Sequence, residues 1–512
     1  MLIKSAMLVV FFGIMIAVGI YCRRHATDVN SFVLGGRSVG PWLTAFAYGT
    51  SYFSAVIFVG YAGQFGWRFG IASTWVGIGN AVLGSLLAWV VLGRRTRLMS
   101  HKLRAATMPE FFGRRYRSER LKTGASLIVF IFLIPYTASL YNGLSRLFGM
   151  AFNIDYSICI IVMAVLTGVY VIAGGYMATA INDFIQGIIM IFGIIAVIAA
   201  VLAQNGGFMG SLSALAAVED PSVTDMPGAF ASFFGPDPFN LFCVVILTSL
   251  GTWGLPQMVQ KFYAIKDERA INKGTVISTI FAVIVAGGCY FLGGFGRLFS
   301  DQIDVTANGY DSIIPTMLEN LSDLLIGVVI ILVLSASMST LSSLVMASAS
   351  TLTLDLIRGV IVKDMDERKQ LLSIRLLIVV FIAISVVIAI VQYTSNITFI
   401  AQLMGLSWGA LAGAFLAPFL YGLYWKRATA AGAWASFIFG AGIMILNMAA
   451  PQLFPAFLQS PINCGAMAMV AGLIIVPLVS LVTRAPDKEF IDDSFSCYDI
   501  PVTTHMKSYL GD

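Results

Sequence analysis

Apolar runs long enough to cross a bilayer as a helix return again and again along this chain, and they limit what it can fold into more than any other feature. Thirteen of them fall at about 5–22, 41–62, 70–93, 123–145, 156–173, 184–203, 238–259, 275–295, 324–354, 376–393, 397–425, 429–449 and 463–483. A spanning helix needs about 20 such residues. In lipid every backbone polar group must be satisfied inside the segment, so runs of this length are helices. Only 11% of the 512 residues are charged, against roughly 25% in a soluble domain. Soluble, disordered and disulfide-scaffold folds are excluded. The sequence predicts an all-α polytopic membrane protein of about 13 transmembrane helices.

Basic residues orient those helices. With the N-terminus outside and every run crossing, 27 of the 31 Lys and Arg fall in inner loops or the C-terminal tail, leaving Lys4, Arg68, Arg146 and Arg297 outside. This is the asymmetry of the positive-inside rule. It predicts a multi-pass plasma-membrane protein with the N-terminus outside and the C-terminus cytoplasmic. Residues 94–122, with Met108-Pro109-Glu110-Phe111-Phe112, read as an inner loop that either lies on the membrane surface or is simply solvated.

Much chemistry is missing. His25, His101 and His505 all lie in inner loops or the tail, so no histidine is available within a span for haem, zinc or a proton relay. The chain has no HExxH and no GxxxxGK[ST]. Gly405-Leu406-Ser407-Trp408-Gly409 matches GxSxG, but it sits mid-helix, whereas a nucleophile elbow needs a strand-to-helix turn and a histidine. An enzyme, an ATP-driven pump and a nucleic-acid binder are all disfavoured. The expected partners are the bilayer and a small organic solute, with the protein a monomer or weak oligomer.

What remains points to transport. The run 41–62 is interrupted at Tyr48-Gly49-Thr50-Ser51-Tyr52-Phe53-Ser54, and the run 238–259 at Gly251-Thr252-Trp253-Gly254-Leu255-Pro256-Gln257. Gly and Pro destabilise a helix interior. A matched pair of broken membrane helices is the best sequence pointer to a carrier's midplane site. Five runs lie between 41 and 203 and five between 238 and 425. Five being odd, the second set starts on the opposite side, as a 5+5 inverted repeat requires. The expected organisation is an extra helix and first inner loop (1–40), a first repeat (41–203), an outer loop (204–237), a second repeat (238–425), two further helices (426–484) and a tail (485–512).

Ser335, Ser339 and Ser343 recur every four residues and share one face of the 324–354 helix. Such hydroxyls serve close helix packing, or they supply oxygens to a hard cation such as Na⁺. Asp183, in Ile181-Asn182-Asp183-Phe184, opens the run 184–203. It reads as a helix cap or as part of an ion or proton pathway.

Taken together, these segments resemble the solute:sodium symporters, whose core is like that of the leucine transporter. The resemblance spans about 30–430. It is carried by Leu34-Gly35-Gly36-Arg37-Ser38, by Gly174-Gly175 with Asn182-Asp183 and Gln186, by Gly254-Leu255-Pro256-Gln257, by Met338-Ser339-Thr340-Leu341-Ser342, and by Asp355-Leu356. It implies a sodium-coupled symporter importing a small organic solute by alternating access, with Na⁺ as co-transported ion and no organic cofactor. A proton-coupled carrier and a non-transporting sensor of the same fold are the alternatives.

The resemblance implies a main sodium site from the carbonyls of Thr50, Phe53 and Ala336 and the hydroxyls of Ser339 and Thr340. It also makes Asp183 part of a possible second sodium site. It is nearest the proline and pantothenate branches, so proline, pantothenate or another carboxylate is the expected solute. The proline branch carries an aspartate where this chain has Tyr52. The expected solute pocket takes in Tyr52, Tyr136, Thr252, Trp253, Gln257 and Ser407.

Overall fold

The computed structural model describes residues 2–152, 155–305, 309–362, 365–395 and 400–499. Helices make up nearly all of it, and no β-strand forms among the described residues. Among the described residues ten helices are long and apolar enough to cross a membrane, eleven when the bent pair Pro238–Gly254 and Pro256–Ala264 counts as one span. The thirteen runs of the sequence differ from this count for a geometric reason. Val56–Lys102 and Ser157–Gln204 are continuous helical stretches of 47 and 48 residues. At 1.5 Å per residue each would extend about 70 Å, more than twice the hydrocarbon thickness. Each is interrupted at one glycine, Gly70 (φ 62°, ψ −144°) and Gly175 (φ 57°, ψ −150°). That backbone region is open essentially to glycine alone.

Gly175 also corrects the reading of Asp183. Past that break the helix runs on to Gln204 with no other non-helical residue, so Asp183 lies inside it, two turns after Gly175. It is no cap. The polar group Asn182, Asp183 and Gln186, which interrupts the apolar run, is wholly buried.

Burial sorts the helices into centre and periphery. The apolar stretches within Asp323–Arg358 and Gln402–Tyr424 are 78% and 89% buried inside the protein, against 22% for Lys4–Cys22. The first helix therefore shows most of its surface to lipid. The central pair packs on the two broken helices. Close approach there depends on small residues, as it must between helices that gain little hydrophobic energy from leaving lipid. A Cβ on Gly254 would sit 2.8 Å from the Ala412 backbone.

The end of the bundle that carries most of the basic loops is more ordered than its composition suggests. Thr107 caps Met108–Arg115 by accepting from the Glu110 N–H, and its hydroxyl donates to buried Asp355. Phe111 and Phe112 are fully buried, packed edge-on Phe419 (5.0 Å) and tilted against Phe415 (5.4 Å). The apolar face of this segment is thus packed into the protein, while Arg104, Arg114 and Arg117 stay exposed. The start of the tail is docked as well. Lys488–Phe495 is a helix held by Lys102–Asp493 and Lys426–Asp492 pairs, both 2.7 Å, with Arg115 over the Phe495 ring. Residues 500–512 lie outside the described residues.

Candidate functional site

The first broken helix runs Pro41–Tyr52, then turns extended at Phe53 (φ −100°, ψ 116°), and resumes through Val56–Tyr61 and Ala62–Phe69. The extended residue takes carbonyls at the end of the first half out of the helical hydrogen-bond ladder. Side chains from the 323–351 helix reach across to them. Ser339 Oγ lies 3.1 Å from the Thr50 carbonyl and 3.1 Å from that of Ala336. Thr340 Oγ1 is 3.2 Å from Thr50, 3.5 Å from Phe53 and 3.0 Å from Ala336. The five oxygens expected from the sequence therefore meet in one buried place.

Their chemistry suits a monovalent hard cation. All five are oxygens, the ligand type such ions take, and none is charged. An octahedral shell with ligand distances of about 2.4 Å, as for Ca²⁺, has edges of about 3.4 Å, close to the separations here. A divalent ion would bring two full charges into a low-dielectric interior where none of the five oxygens compensates them.

The six expected solute-pocket residues divide by how their polar atoms are engaged. Tyr52 donates to the Thr248 carbonyl (2.6 Å), tying one broken helix to the other. Thr252 donates to the carbonyls of Ser249 (2.8 Å) and Gly84 (3.3 Å). Trp253 Nε1 donates to Leu83 (2.9 Å) and Ser407 to Phe132 (2.5 Å). Leu83 and Gly84 belong to the π-helical stretch Asn80–Leu87, a geometry that recurs at functional sites. These four residues thus present walls with their polar atoms already bonded. Gln257, at the start of the resumed second helix, is different. It is buried, and neither its amide nitrogen nor its amide oxygen has a hydrogen-bond partner among the described residues; the buried hydroxyl of Tyr136, the sixth expected residue, has none either.

Two groups here escape the sequence reading. Trp408 stacks on Tyr52 and meets Tyr136 edge-on, both at 5.9 Å, and so joins the two rings into one aromatic wall. Its only signal in the sequence was membership of the GxSxG match. Lys261 counted as an inner-loop cation, yet it sits in the helix Pro256–Ala264, 2% exposed, with Nζ 3.8 Å from Asp183 Oδ2 and 3.0 Å from Ser343 Oγ. Its spacing of four from Gln257 puts both on one helix face, which was the available clue. Of the serine stripe, Ser339 faces the five-oxygen cluster, while Ser343 bonds Ser51 on the first broken helix (2.7 Å).

A sequence model of the sodium:solute symporter family matches residues 32–440. The chain belongs to that family. It is accordingly a multi-pass membrane carrier that couples solute movement to Na⁺, and not an enzyme. Among characterised relatives, this symporter is 28% identical over 491 residues to the osmoregulated proline transporter OpuE of Bacillus subtilis, covering 94% of each chain. It is 31% identical over 496 residues to a sodium/proline symporter of Staphylococcus aureus, covering 94% of this chain and 93% of the other. In fold it matches a solved Na⁺-coupled sialic acid symporter, with a TM-score of 0.72 at 17% identity, over 95% of this chain and 99% of that one.

Proposed function

We propose that this symporter imports proline, or a small amino acid of similar shape, with Na⁺ bound by Thr50, Phe53, Ala336, Ser339 and Thr340. The observation that carries the reading is the buried, partnerless Gln257 amide beside the second break, together with the buried Tyr136 hydroxyl and Trp408 indole N–H, which also lack hydrogen-bond partners among the described residues. None of the six lining residues is charged, which suits a solute of zero net charge. A zwitterion still needs partners for its two ends. The C-terminal end of Pro41–Tyr52 offers partial negative charge and the N-terminal end of Pro256–Ala264 partial positive charge. The apolar faces of Trp253, Trp408 and Tyr136 suit a compact aliphatic ring. Both relatives named above are proline transporters by name, which supports the same substrate.

The proposed cycle follows from where the ion sits. Na⁺ among the five oxygens ties the 323–351 helix to the first broken helix beside the pocket, and so completes the pocket before solute arrives. Solute must then tighten Na⁺ by the same factor as Na⁺ tightens solute. An ion entering down 100 mV releases about 2.3 kcal/mol, enough for roughly 40-fold accumulation. We further propose that 41–203 and 238–425 are oppositely oriented five-helix repeats. Residues 1–40, 204–237, 426–484 and 485–512 are then the additions already named, in a monomer or weak oligomer with its N-terminus outside and its tail in the cytoplasm.

Vesicles with an inward Na⁺ gradient should accumulate labelled proline, and vesicles with an equal K⁺ gradient should not. Pantothenate, other carboxylates and larger amino acids serve as competitors. Accumulation driven by Na⁺ for a competitor but not for proline would replace the substrate and leave the ion site standing. Trp253→Ala should raise the proline KM by about tenfold or more, the scale for losing one large apolar contact. Unchanged KM in a folded variant would remove Trp253 from the pocket.

A further inference from the structure

Asp183 and Lys261 are both in the protein interior, on helices 78 positions apart in the chain, and each is charged at neutral pH unless something neutralises it. Burying either alone is costly, and the pair is tolerated because each compensates the other. Their surroundings are those of a cation site. Lys261 Nζ faces Asp183 Oδ2 at 3.8 Å and donates to Ser343 Oγ at 3.0 Å. The Tyr176 ring lies 5.1 Å from the ammonium, near enough for a cation–π contact. Ser343 bonds Ser51 at 2.7 Å. Ser51 follows Thr50, and Ser343 is one helical turn past Ser339, so this place adjoins the five-oxygen cluster on both of the helices that build it.

We propose that the Lys261 ammonium is a tethered cation filling the position that Asp183 and Ser343 would otherwise give to a second Na⁺, so that the protein moves one Na⁺ per solute. The inference rests on the sodium site described under the proposed function and adds its stoichiometry. The ammonium bonds the serine hydroxyl and pairs electrostatically with the carboxylate, whose oxygens have no hydrogen-bond partner among the described residues, so a free ion drawn to that carboxylate would meet like charge close by. The lysine also stays through the cycle, since it is part of the chain. The contact from Lys261 through Ser343 to Ser51 then supports the first broken helix whether or not Na⁺ is bound to the other site.

The test counts ions. Purified protein in reconstituted vesicles should move ²²Na⁺ and labelled solute in a 1:1 ratio, with a Hill coefficient of 1 for Na⁺. Lys261→Ala, with Asp183 kept, should open the place to a free ion: the ratio rises to 2:1 and the Hill coefficient moves toward 2. Because this variant loses one partner of a buried pair and can fold poorly, its thermal unfolding is followed in Na⁺ against choline. Ligand binding stabilises by a logarithmic term per site, so the slope of Tm against log Na⁺ should be about twice that of the natural protein. A 2:1 ratio in the natural protein overturns the proposal, as does Lys261→Ala whose Tm responds to Na⁺ no more steeply than the parent. A natural protein whose uptake ignores Na⁺ fails differently, since it removes the five-oxygen site itself.

Discussion

Valine in place of Thr340 should raise the Na⁺ concentration needed for half-maximal uptake by at least tenfold. Thr340→Val together with Ser339→Ala should leave no Na⁺ dependence that can be measured. The two side chains have nearly the same volume in threonine and valine, so packing of the 323–351 helix is little disturbed. What is lost is an oxygen that lies 3.0–3.5 Å from three carbonyls in turn, those of Ala336, Thr50 and Phe53. Those carbonyls are buried, and a buried polar group left without a partner costs about 1–3 kcal/mol. The apo form of the variant should therefore unfold at a somewhat lower temperature. The Na⁺-induced rise in Tm, present in the parent, should largely vanish.

Ser337→Ala is the matched control. Ser337 sits on the same helix, equally buried, but its hydroxyl bonds only back to the Val333 carbonyl at 2.8 Å. Its loss should leave the Na⁺ response within about twofold. Equal effects at 337 and 340 would mean that hydroxyls on this helix serve packing, the simpler of the two readings open to them from spacing alone. Unfolding in Na⁺ against K⁺ gives this answer without any knowledge of the solute.

The contrast between these serines shows what the sequence could carry. Breaks in helices were legible because Gly and Pro act locally. Phe53 turns extended one residue after Tyr52, inside the interrupted stretch, and the second helix bends by 47° at Leu255-Pro256. The gathering of the five oxygens was legible through resemblance, since the five residues lie in two short motifs. Spacing by itself left packing and ion binding open for Ser335, Ser339 and Ser343, and the structure gives the last two of them different neighbours. Asp183 was misplaced at a helix start for a simple reason. A polar pair within an apolar run looks like a boundary until one knows that the interior there is polar. Lys261 was counted among loop cations on the same logic, because nothing local marks a lysine whose partner is 78 positions away. The engaged hydroxyls of Thr252 and Ser407 also have distant partners, and a polar residue already bonded looks no different in sequence from one left without a partner, as Gln257 and Tyr136 are.

The strongest demand on stability falls where two backbones touch, and alanine at Gly66 should expose it. Gly66 lies in the second half of the first broken helix, and a Cβ there would stand 1.9 Å from the Gly293 carbonyl oxygen and 2.1 Å from its carbon. The relation is mutual: a Cβ on Gly293 would stand 2.0 Å from the Ala62 carbonyl oxygen. Overpacking usually costs about 1–3 kcal/mol because side chains give way. Here only backbone is available to move, so the helices must separate and the cost should reach about 3 kcal/mol or more. In lipid, that separation also forfeits the close packing that holds helices together. Because Ala62–Phe69 is joined to the break at Phe53 through the helical stretch Val56–Tyr61, displacing it moves the carbonyls that face Ser339 and Thr340. Gly66→Ala should therefore lower Tm in choline and also blunt the Na⁺-dependent rise. Gly13→Ala tests whether any added methyl does the same. No atom lies within 4 Å of a Cβ there, and mid-helix Gly→Ala favours the folded state by roughly 0.5–1 kcal/mol, so its Tm should hold or rise. A Gly66→Ala protein that unfolds and responds to Na⁺ like the parent would mean that the two helices do not meet at these glycines, and the placement of the break against the 323–351 helix would fall with them.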